Sequence, residues 1–140
     1  MEKKTIVLGV LGVDAHVVGN KIMEYSLRQE GFNVVNLGIF VTQEDFIKAA
    51  IETNADAILV GSLCGHGELD CIGFREKCVE AGKGNLHLVG GGRLVVGRQN
   101  WRDVESRFLK MGFNRVYPPD TSPKVVMEDL KRDLGVKDDE

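Results

Sequence analysis

Short runs of Val, Ile and Leu recur along the chain and alternate with segments of helical periodicity. Several runs lack polar residues at alternate positions, which is typical of strands buried on both faces of a parallel sheet. The runs predict five strands, at Thr5 to Val10, Asn33 to Leu37, Ala57 to Val60, Leu86 to Val89 and Arg115 to Tyr117.

Helices are predicted in each interval between these strands and after the last. A helix over about Val18 to Glu30 should end at Gly31, a residue suited to a left-handed cap. Cap residues at Thr42 and at Ser122-Pro123 mark two further helix starts. The remaining helices are expected over about Glu68 to Ala81 and from Trp101 to Met111.

Five strand and helix units in this order predict an α/β fold in a single domain over residues 1–140. We expect a doubly wound, flavodoxin-like or Rossmann-like domain whose five-stranded parallel sheet has the order 2-1-3-4-5. Strands 1, 3 and 4 are neighbours in that order, and ligands bind beyond the carboxyl ends of such strands. The segments that follow these three strands are therefore where a site is expected.

Charge and hydropathy exclude several classes of partner. The 18 basic and 21 acidic side chains give a formal net charge of −3, and no basic cluster could follow a nucleic acid backbone. No apolar run approaches the roughly 20 residues that span a bilayer, and no signal-peptide cleavage site follows the first apolar run. We expect a soluble, cytoplasmic protein with neither nucleic acid nor membrane as its partner.

Glycine is the over-represented residue, at 17 of 140 positions against a usual share of about 7%. The segments expected after strands 1, 3 and 4 are rich in it, at Gly12 to Gly19, Gly61 to Gly67 and Gly90 to Arg93. Because three cysteines lack C-x-x-C spacing, they indicate neither a disulfide framework nor a zinc finger. The glycine-rich segments at one edge of the predicted sheet therefore indicate a site more strongly than the cysteines do.

The segment after strand 1 contains the pair Asp14 and His16. It has no G-x-G-x-x-G or P-loop pattern for a nucleotide phosphate, and it lacks the acidic pair of a phospho-acceptor domain. In an extended loop, the Asp14 carboxylate can reach one ring nitrogen of His16 and leave the other free for a metal. One such ligand suffices when a macrocycle fills the equatorial positions, although an isolated pair is more often a helix cap beside a solvated histidine.

The order Asp14-x-His16-x-x-Gly19, Ser62-Leu63 and Gly91-Gly92 resembles the D-x-H-x-x-G…S-x-L…G-G signature of base-off, His-on cobalamin-binding domains. The stretch from Gly65 to Cys71 and the segment from Val95 to Gly97 are similar to the small-subunit family of glutamate (methylaspartate) mutase. The resemblance implies that His16 replaces dimethylbenzimidazole as the lower axial ligand of cobalt, with Asp14 hydrogen-bonded behind it. It also implies a slot for the displaced nucleotide tail between the sheet and the first helix.

By the same resemblance, the cofactor is adenosylcobalamin and it is bound by three stretches of the chain. The implied binding residues are Val13, Asp14, Ala15, His16, Val17, Gly19, Gly61, Ser62, Leu63, Gly91, Gly92, Arg93, Leu94, Val95, Val96 and Gly97. Two positions depart from the family pattern. Gly61 stands where S-x-L has serine, so Ser62 or water would replace the hydroxyl, and Arg93 could reach the tail phosphate or lie in solvent.

The implied function is that of the cobalamin-binding subunit of a B12-dependent isomerase that interconverts L-glutamate and L-threo-3-methylaspartate by a radical rearrangement. No catalytic residue is expected in this chain, which should be inactive without a larger, epsilon-type catalytic subunit, in a heterotetramer of two small and two large subunits. The alternatives are a corrinoid carrier for methyl transfer and the B12 subunit of a related mutase such as 2-methyleneglutarate mutase. A flavodoxin-like or signalling domain would leave the Asp14 and His16 pair unused.

Overall fold

The computed structural model describes residues 3–10, 17–62, 71–92, 100–118 and 121–136. Within them, strands and helices alternate as β1 Thr5–Val10, α1 Val17–Gln29, β2 Asn33–Asn36, α2 Gln43–Thr53, β3 Ala57–Ser62, α3 Phe74–Glu80, β4 His87–Gly92, α4 Trp101–Lys110, β5 Arg115–Tyr117 and α5 Pro123–Leu134. The five strands are parallel and have the order β2-β1-β3-β4-β5. The predicted α/β fold and strand order are confirmed.

The sheet has an apolar layer on each face, because side chains of a strand alternate between its two sides. On one face, Phe46 of α2, Phe74 of α3 and Phe108 of α4 are fully buried against the strands. On the other face, Leu27 of α1 and Leu130 of α5 are buried against alternate residues of the same strands. The two sets of helices therefore cover opposite faces, as a doubly wound sheet requires.

The predicted helix signals lie where the helices begin and end. Thr42 accepts a hydrogen bond from the Asp45 amide while the Asp45 carboxylate accepts one from the Thr42 amide, which completes a capping box at α2. Ser122 caps α5, whose first residue is Pro123. Gly31, at φ +90, takes the left-handed conformation after α1, where a side chain would be strained.

Some predicted boundaries were wrong. Strands β3 and β4 run on to Ser62 and Gly92, two and three residues beyond the predicted ends. Helix α3 begins at Phe74 instead of near Glu68, because residues 71–73 form a turn. Of the three cysteines, Cys78 lies on α3, whereas Cys71 precedes the helix; both are buried.

No helix among the residues that the structure describes combines the length and the apolar character needed to cross a membrane.

Candidate functional site

One row of paired residues crosses the sheet at the carboxyl ends of its strands. Val10 on β1 pairs with Gly61 on β3, Gly61 pairs with Gly91 on β4, and Gly91 pairs with Tyr117 on β5. Strand alternation places all four on the face that carries α1 and α5. Because neighbouring strands lie about 4.8 Å apart, Val10 and Tyr117 stand about 14 Å apart with only backbone between them.

The packing of the described residues does not require the two glycines of this row. A Cβ built on Gly61 would meet its nearest atoms, Gly9 O and Val10 Cγ2, at 3.6 Å, an ordinary contact distance. Among the residues that the structure describes, a Cβ on Gly91 would meet only Tyr117 Cβ, at 4.0 Å. Neither residue has the positive φ that favours glycine. The described part of the fold would accept side chains at both positions.

The glycines on the opposite face differ in this respect. A Cβ on Gly9 would lie 3.0 Å from two atoms of the buried Phe46 ring, and one on Gly90 would lie 3.2 Å from the Phe113 ring. Core packing accounts for glycine at these two positions. Among the described residues, it does not account for Gly61 and Gly91.

Helices α1 and α5 stand on either side of the bare positions. Helix α1 packs against β1, β2 and α5, while α5 is attached to β5 by side-chain bonds. The bare backbone of β3 and β4 therefore lies between the strands that these helices cover. We call the row Val10, Gly61, Gly91 and Tyr117, with bare backbone at its centre, the glycine slot.

Tyr117 forms the β5 side of the glycine slot. Its hydroxyl donates a 2.7 Å hydrogen bond to Asp129 Oδ2 on α5. Burial, together with this hydrogen bond to a carboxylate, raises the pKa of Tyr117, so the phenol stays protonated and bonded to α5 at neutral pH.

Charged groups continue from Tyr117 toward the opposite edge of the sheet. Arg115 donates to Asp133 over 2.9 Å and its Nη1 lies 3.7 Å from Asp129. Asp133 Oδ2 in turn lies 3.1 Å from His87 Nε2, at the start of β4. His87 lies at the far end of its strand from the glycine slot.

The structure describes only part of the predicted binding set. Val17 and Gly19 lie in the first turns of α1, and Gly61, Ser62, Gly91 and Gly92 lie in strands. The strand positions correct the expectation that these glycines belong to loops. The other predicted residues lie outside the described ranges: Val13, Asp14, Ala15, His16, Leu63, Arg93, Leu94, Val95, Val96 and Gly97.

The register of the parallel strands brings the described residues of the predicted binding set together. Gly61 pairs with Gly91 and Ser62 pairs with Gly92, so two predicted segments that are thirty positions apart in the chain meet at one edge. Tyr117 belongs to the same row but was not predicted as a site residue. Its signal, an aromatic at the end of the last strand, is indistinguishable in sequence from an ordinary core aromatic.

Among the residues that the structure describes, no three His, Cys, Asp or Glu side chains are grouped so that they could hold a metal ion.

Comparison with known proteins gives a family match and full-length relatives. Residues 4–105 match the B12 binding domain family. The chain is 62% identical over 137 residues to the glutamate mutase sigma subunit of Clostridium tetanomorphum, covering 98% of this chain and 100% of that protein.

Solved structures share the fold at low sequence identity. A cobalamin-binding protein from Desulfitobacterium hafniense DCB-2 superposes with a TM-score of 0.75 at 20% identity, over 94% of this chain and 59% of that one. A response regulator from Thermotoga maritima superposes with a TM-score of 0.70 at 13% identity, over 96% and 99%. Because both kinds of protein share this architecture, the fold alone does not select a function.

Proposed function

The chain belongs to the B12-binding domain family and, within it, to the glutamate mutase sigma subunits, and we propose that it binds cobalamin with His16 as the lower axial ligand of cobalt. In this proposal Asp14 accepts a hydrogen bond from the second ring nitrogen of His16, which sets the tautomer and raises the basicity of the ligating nitrogen. The pair lies in the six residues that connect β1 to α1.

When bound, adenosylcobalamin would supply the radical chemistry for the interconversion of L-glutamate and L-threo-3-methylaspartate. This chain's residues bind and orient the cofactor. Asp14 and His16 would tune the ligation, and no general acid or base of this chain takes part. The remaining predicted residues, Val13, Ala15, Val17, Leu63 and the segment Arg93 to Gly97, would surround the corrin and the start of the tail.

The observation that carries the proposal is the glycine slot. If histidine replaces the benzimidazole at cobalt, the displaced nucleotide tail needs a place beside the sheet. Gly61 and Gly91 leave bare backbone there, and the fold does not require either glycine. A flat aromatic base can lie on such backbone and contact Val10 on one side and Tyr117 on the other, which buries apolar surface on both partners.

The structure also bears on position 61, where this chain has glycine and the S-x-L pattern has serine. Since a Cβ at position 61 would make only ordinary contacts, a serine would fit there, and its absence widens the floor of the slot. No described side chain of the row, other than Tyr117, offers a polar group to the base. The contact between the nucleotide base and the residues of the glycine slot would therefore be mainly apolar.

The name of the Clostridium tetanomorphum relative, a sigma subunit, supports a partner that holds the substrate. We propose that this partner is the larger catalytic subunit of glutamate mutase, in an assembly of two small and two large subunits. The 62% identity over nearly the whole chain favours this mutase over a corrinoid carrier for methyl transfer.

Binding of the nucleotide tail in the glycine slot is tested by comparing the affinities for cobalamin and cobinamide. Cobinamide has the corrin and cobalt but lacks the nucleotide tail. Gly91→Val places a branched side chain on the slot floor. We expect equilibrium dialysis to show cobalamin affinity falling at least tenfold, about 1.4 kcal/mol, while cobinamide affinity stays within about twofold of the parent. Cooperative thermal unfolding should be retained, because among the described residues a Cβ at position 91 meets only Tyr117 Cβ, at 4.0 Å.

Leu109→Ala is the matched control, since Leu109 is a partly exposed residue of α4, on the opposite face of the sheet. It should leave both affinities unchanged. Equal losses for cobalamin and cobinamide in Gly91→Val would contradict tail binding in the slot. A parent chain that binds neither compound would contradict the proposed function itself.

A further inference from the structure

Phe40 is an exposed aromatic residue in a backbone conformation that side chains disfavour. It lies between β2 and α2 with φ +58 and is 58% exposed. For a bulky residue this left-handed conformation is an outlier, and burial of its own ring does not explain it. Strained positions of this kind are found preferentially at functional sites.

Main-chain hydrogen bonds hold Phe40 in place. The Val10 amide donates to Gly38 O over 2.8 Å, and the Val41 amide donates to Val10 O over 2.9 Å. These two bonds attach the loop to the last residue of β1 on either side of the Ile39-Phe40 tip. Gly38 itself has φ +84. These main-chain bonds to β1 therefore hold the backbone that presents the exposed ring.

A second exposed apolar residue flanks the same helix start. Ile72 is 60% exposed, and its carbonyl accepts a 2.9 Å hydrogen bond from Gln43 Nε2 in the first turn of α2. We call Phe40 and Ile72 the rim patch. Both residues lie at the carboxyl edge of the sheet, the edge that carries the glycine slot.

The surroundings of Phe40 have the layout of a protein contact surface. Leu37, Val41 and Ala49 line a shallow depression with it, and charged side chains complete the lining: Asp45, Lys48 and Glu52. An apolar centre within a charged rim is the usual composition of a protein–protein interface. Exposed aromatics in such centres contribute a large share of binding free energy.

The occupant follows from the position of the patch. The loop that contains Phe40 is hydrogen-bonded to Val10. Val10 directly precedes the segment with Asp14 and His16. A subunit that brings substrate to the outer face of a cofactor held at this edge must extend across the neighbouring rim. The patch is thus continuous with the surface that such a subunit has to cover.

We propose that the rim patch is a docking surface for the larger, substrate-bearing subunit of glutamate mutase, with Phe40 as its central contact; this inference depends on the proposed function. The strain at Phe40 is then the consequence of presenting an aromatic ring to a partner from a fixed loop. Ile72 and the charged residues around the depression complete the surface.

The test titrates the purified larger subunit onto the cobalamin-loaded chain by biolayer interferometry. Phe40→Asn removes the ring but keeps a residue that tolerates the left-handed conformation, and Phe40→Leu keeps apolar surface. We expect Phe40→Asn to weaken association at least tenfold, about 1.4 kcal/mol, and Phe40→Leu to weaken it less. The cobalamin affinity of each variant alone should stay within about twofold of the parent.

Val79→Asn is the matched control, because Val79 is 59% exposed but lies near the end of α3, toward the opposite edge of the sheet. It should leave association unchanged. Unweakened association of Phe40→Asn would overturn the docking surface, as would an equal loss of its cobalamin affinity or an effect confined to self-association of the chain. A parent that binds no cobalamin would overturn the proposed function, and the docking surface with it.

Discussion

At the scale of single residues, the glycines of the central strands serve two purposes. Gly9 and Gly90 face the phenylalanine-rich core, where a side chain would collide with buried rings. Gly61 and Gly91 face the other way, where a Cβ would meet the described residues no closer than 3.6 Å. The same residue type thus meets a packing requirement on one face and leaves the proposed binding surface on the other.

This division predicts that the same small substitution destabilises the protein at one position and not at the other. Gly9→Ala should lower the free energy of unfolding by about 1–3 kcal/mol, because the added methyl group overpacks against the buried Phe46 ring. Gly91→Ala should leave the free energy of unfolding within about 0.5 kcal/mol, the usual range away from such contacts. Urea unfolding of both variants measures the difference, and equal effects would show that the two positions are packed alike.

At the scale of elements, α5 is attached to the sheet by a chain of polar contacts. Tyr117 and Arg115 of β5 bind Asp129 and Asp133 of α5, and Asp133 reaches His87 of β4. Helix α5 also buries Val126, Met127 and Leu130 against the strands. Since α5 forms one side of the glycine slot, these contacts fix the position of that side.

The attachment of α5 predicts a pH dependence of stability. Burial lowers the pKa of His87 below its ordinary value of 6.5, against the opposing effect of Asp133. The folded state therefore favours the neutral ring, and this contribution to stability is present above about pH 6.5 and lost as the pH falls below it. The Asp133 pKa is also lowered, by Arg115, so that carboxylate titrates below this range.

His87→Gln tests this dependence because glutamine does not titrate. Between about pH 7 and pH 5, the free energy of unfolding of the parent should fall more steeply than that of the variant. Urea unfolding at several pH values gives both slopes, and the other histidines are common to the two proteins. Parallel slopes would contradict the assignment of the effect to His87.

The boundaries of elements show what sequence patterns can predict. The Val, Ile and Leu runs located all five strands, and the cap residues at Thr42 and Ser122 located two helix starts. The ends of β3 and β4 were missed because glycine has low strand propensity. Pairing with neighbouring strands extends both strands through their glycines to Ser62 and Gly92.

At the scale of the whole molecule, the site depends on strand register. The predicted strand order correctly placed β1, β3 and β4 side by side. No local pattern in a parallel sheet encodes that Val10, Gly61, Gly91 and Tyr117 form one row, since such strands are joined by long crossovers. The glycines could thus be predicted as site residues from their motif, whereas Tyr117 could not.

Phe40 was missed for a related reason. An apolar residue just before a helix start is unremarkable in sequence. Only the main-chain bonds that tie its loop to Val10 fix it in an exposed, left-handed conformation. Together, the glycine slot and the rim patch give the carboxyl edge two proposed uses, one for the cofactor tail and one for the partner subunit.

The central claim, that His16 ligates cobalt, is tested most directly by electron paramagnetic resonance of the Co(II) form of bound cobalamin. The chain is prepared with nitrogen-15 histidine, while the cofactor keeps nitrogen-14. Histidine ligation predicts that the superhyperfine triplet of an axial nitrogen-14 becomes a doublet, and that His16→Gly abolishes the doublet. A triplet that persists in the labelled protein would mean that benzimidazole remains on cobalt and would contradict the account.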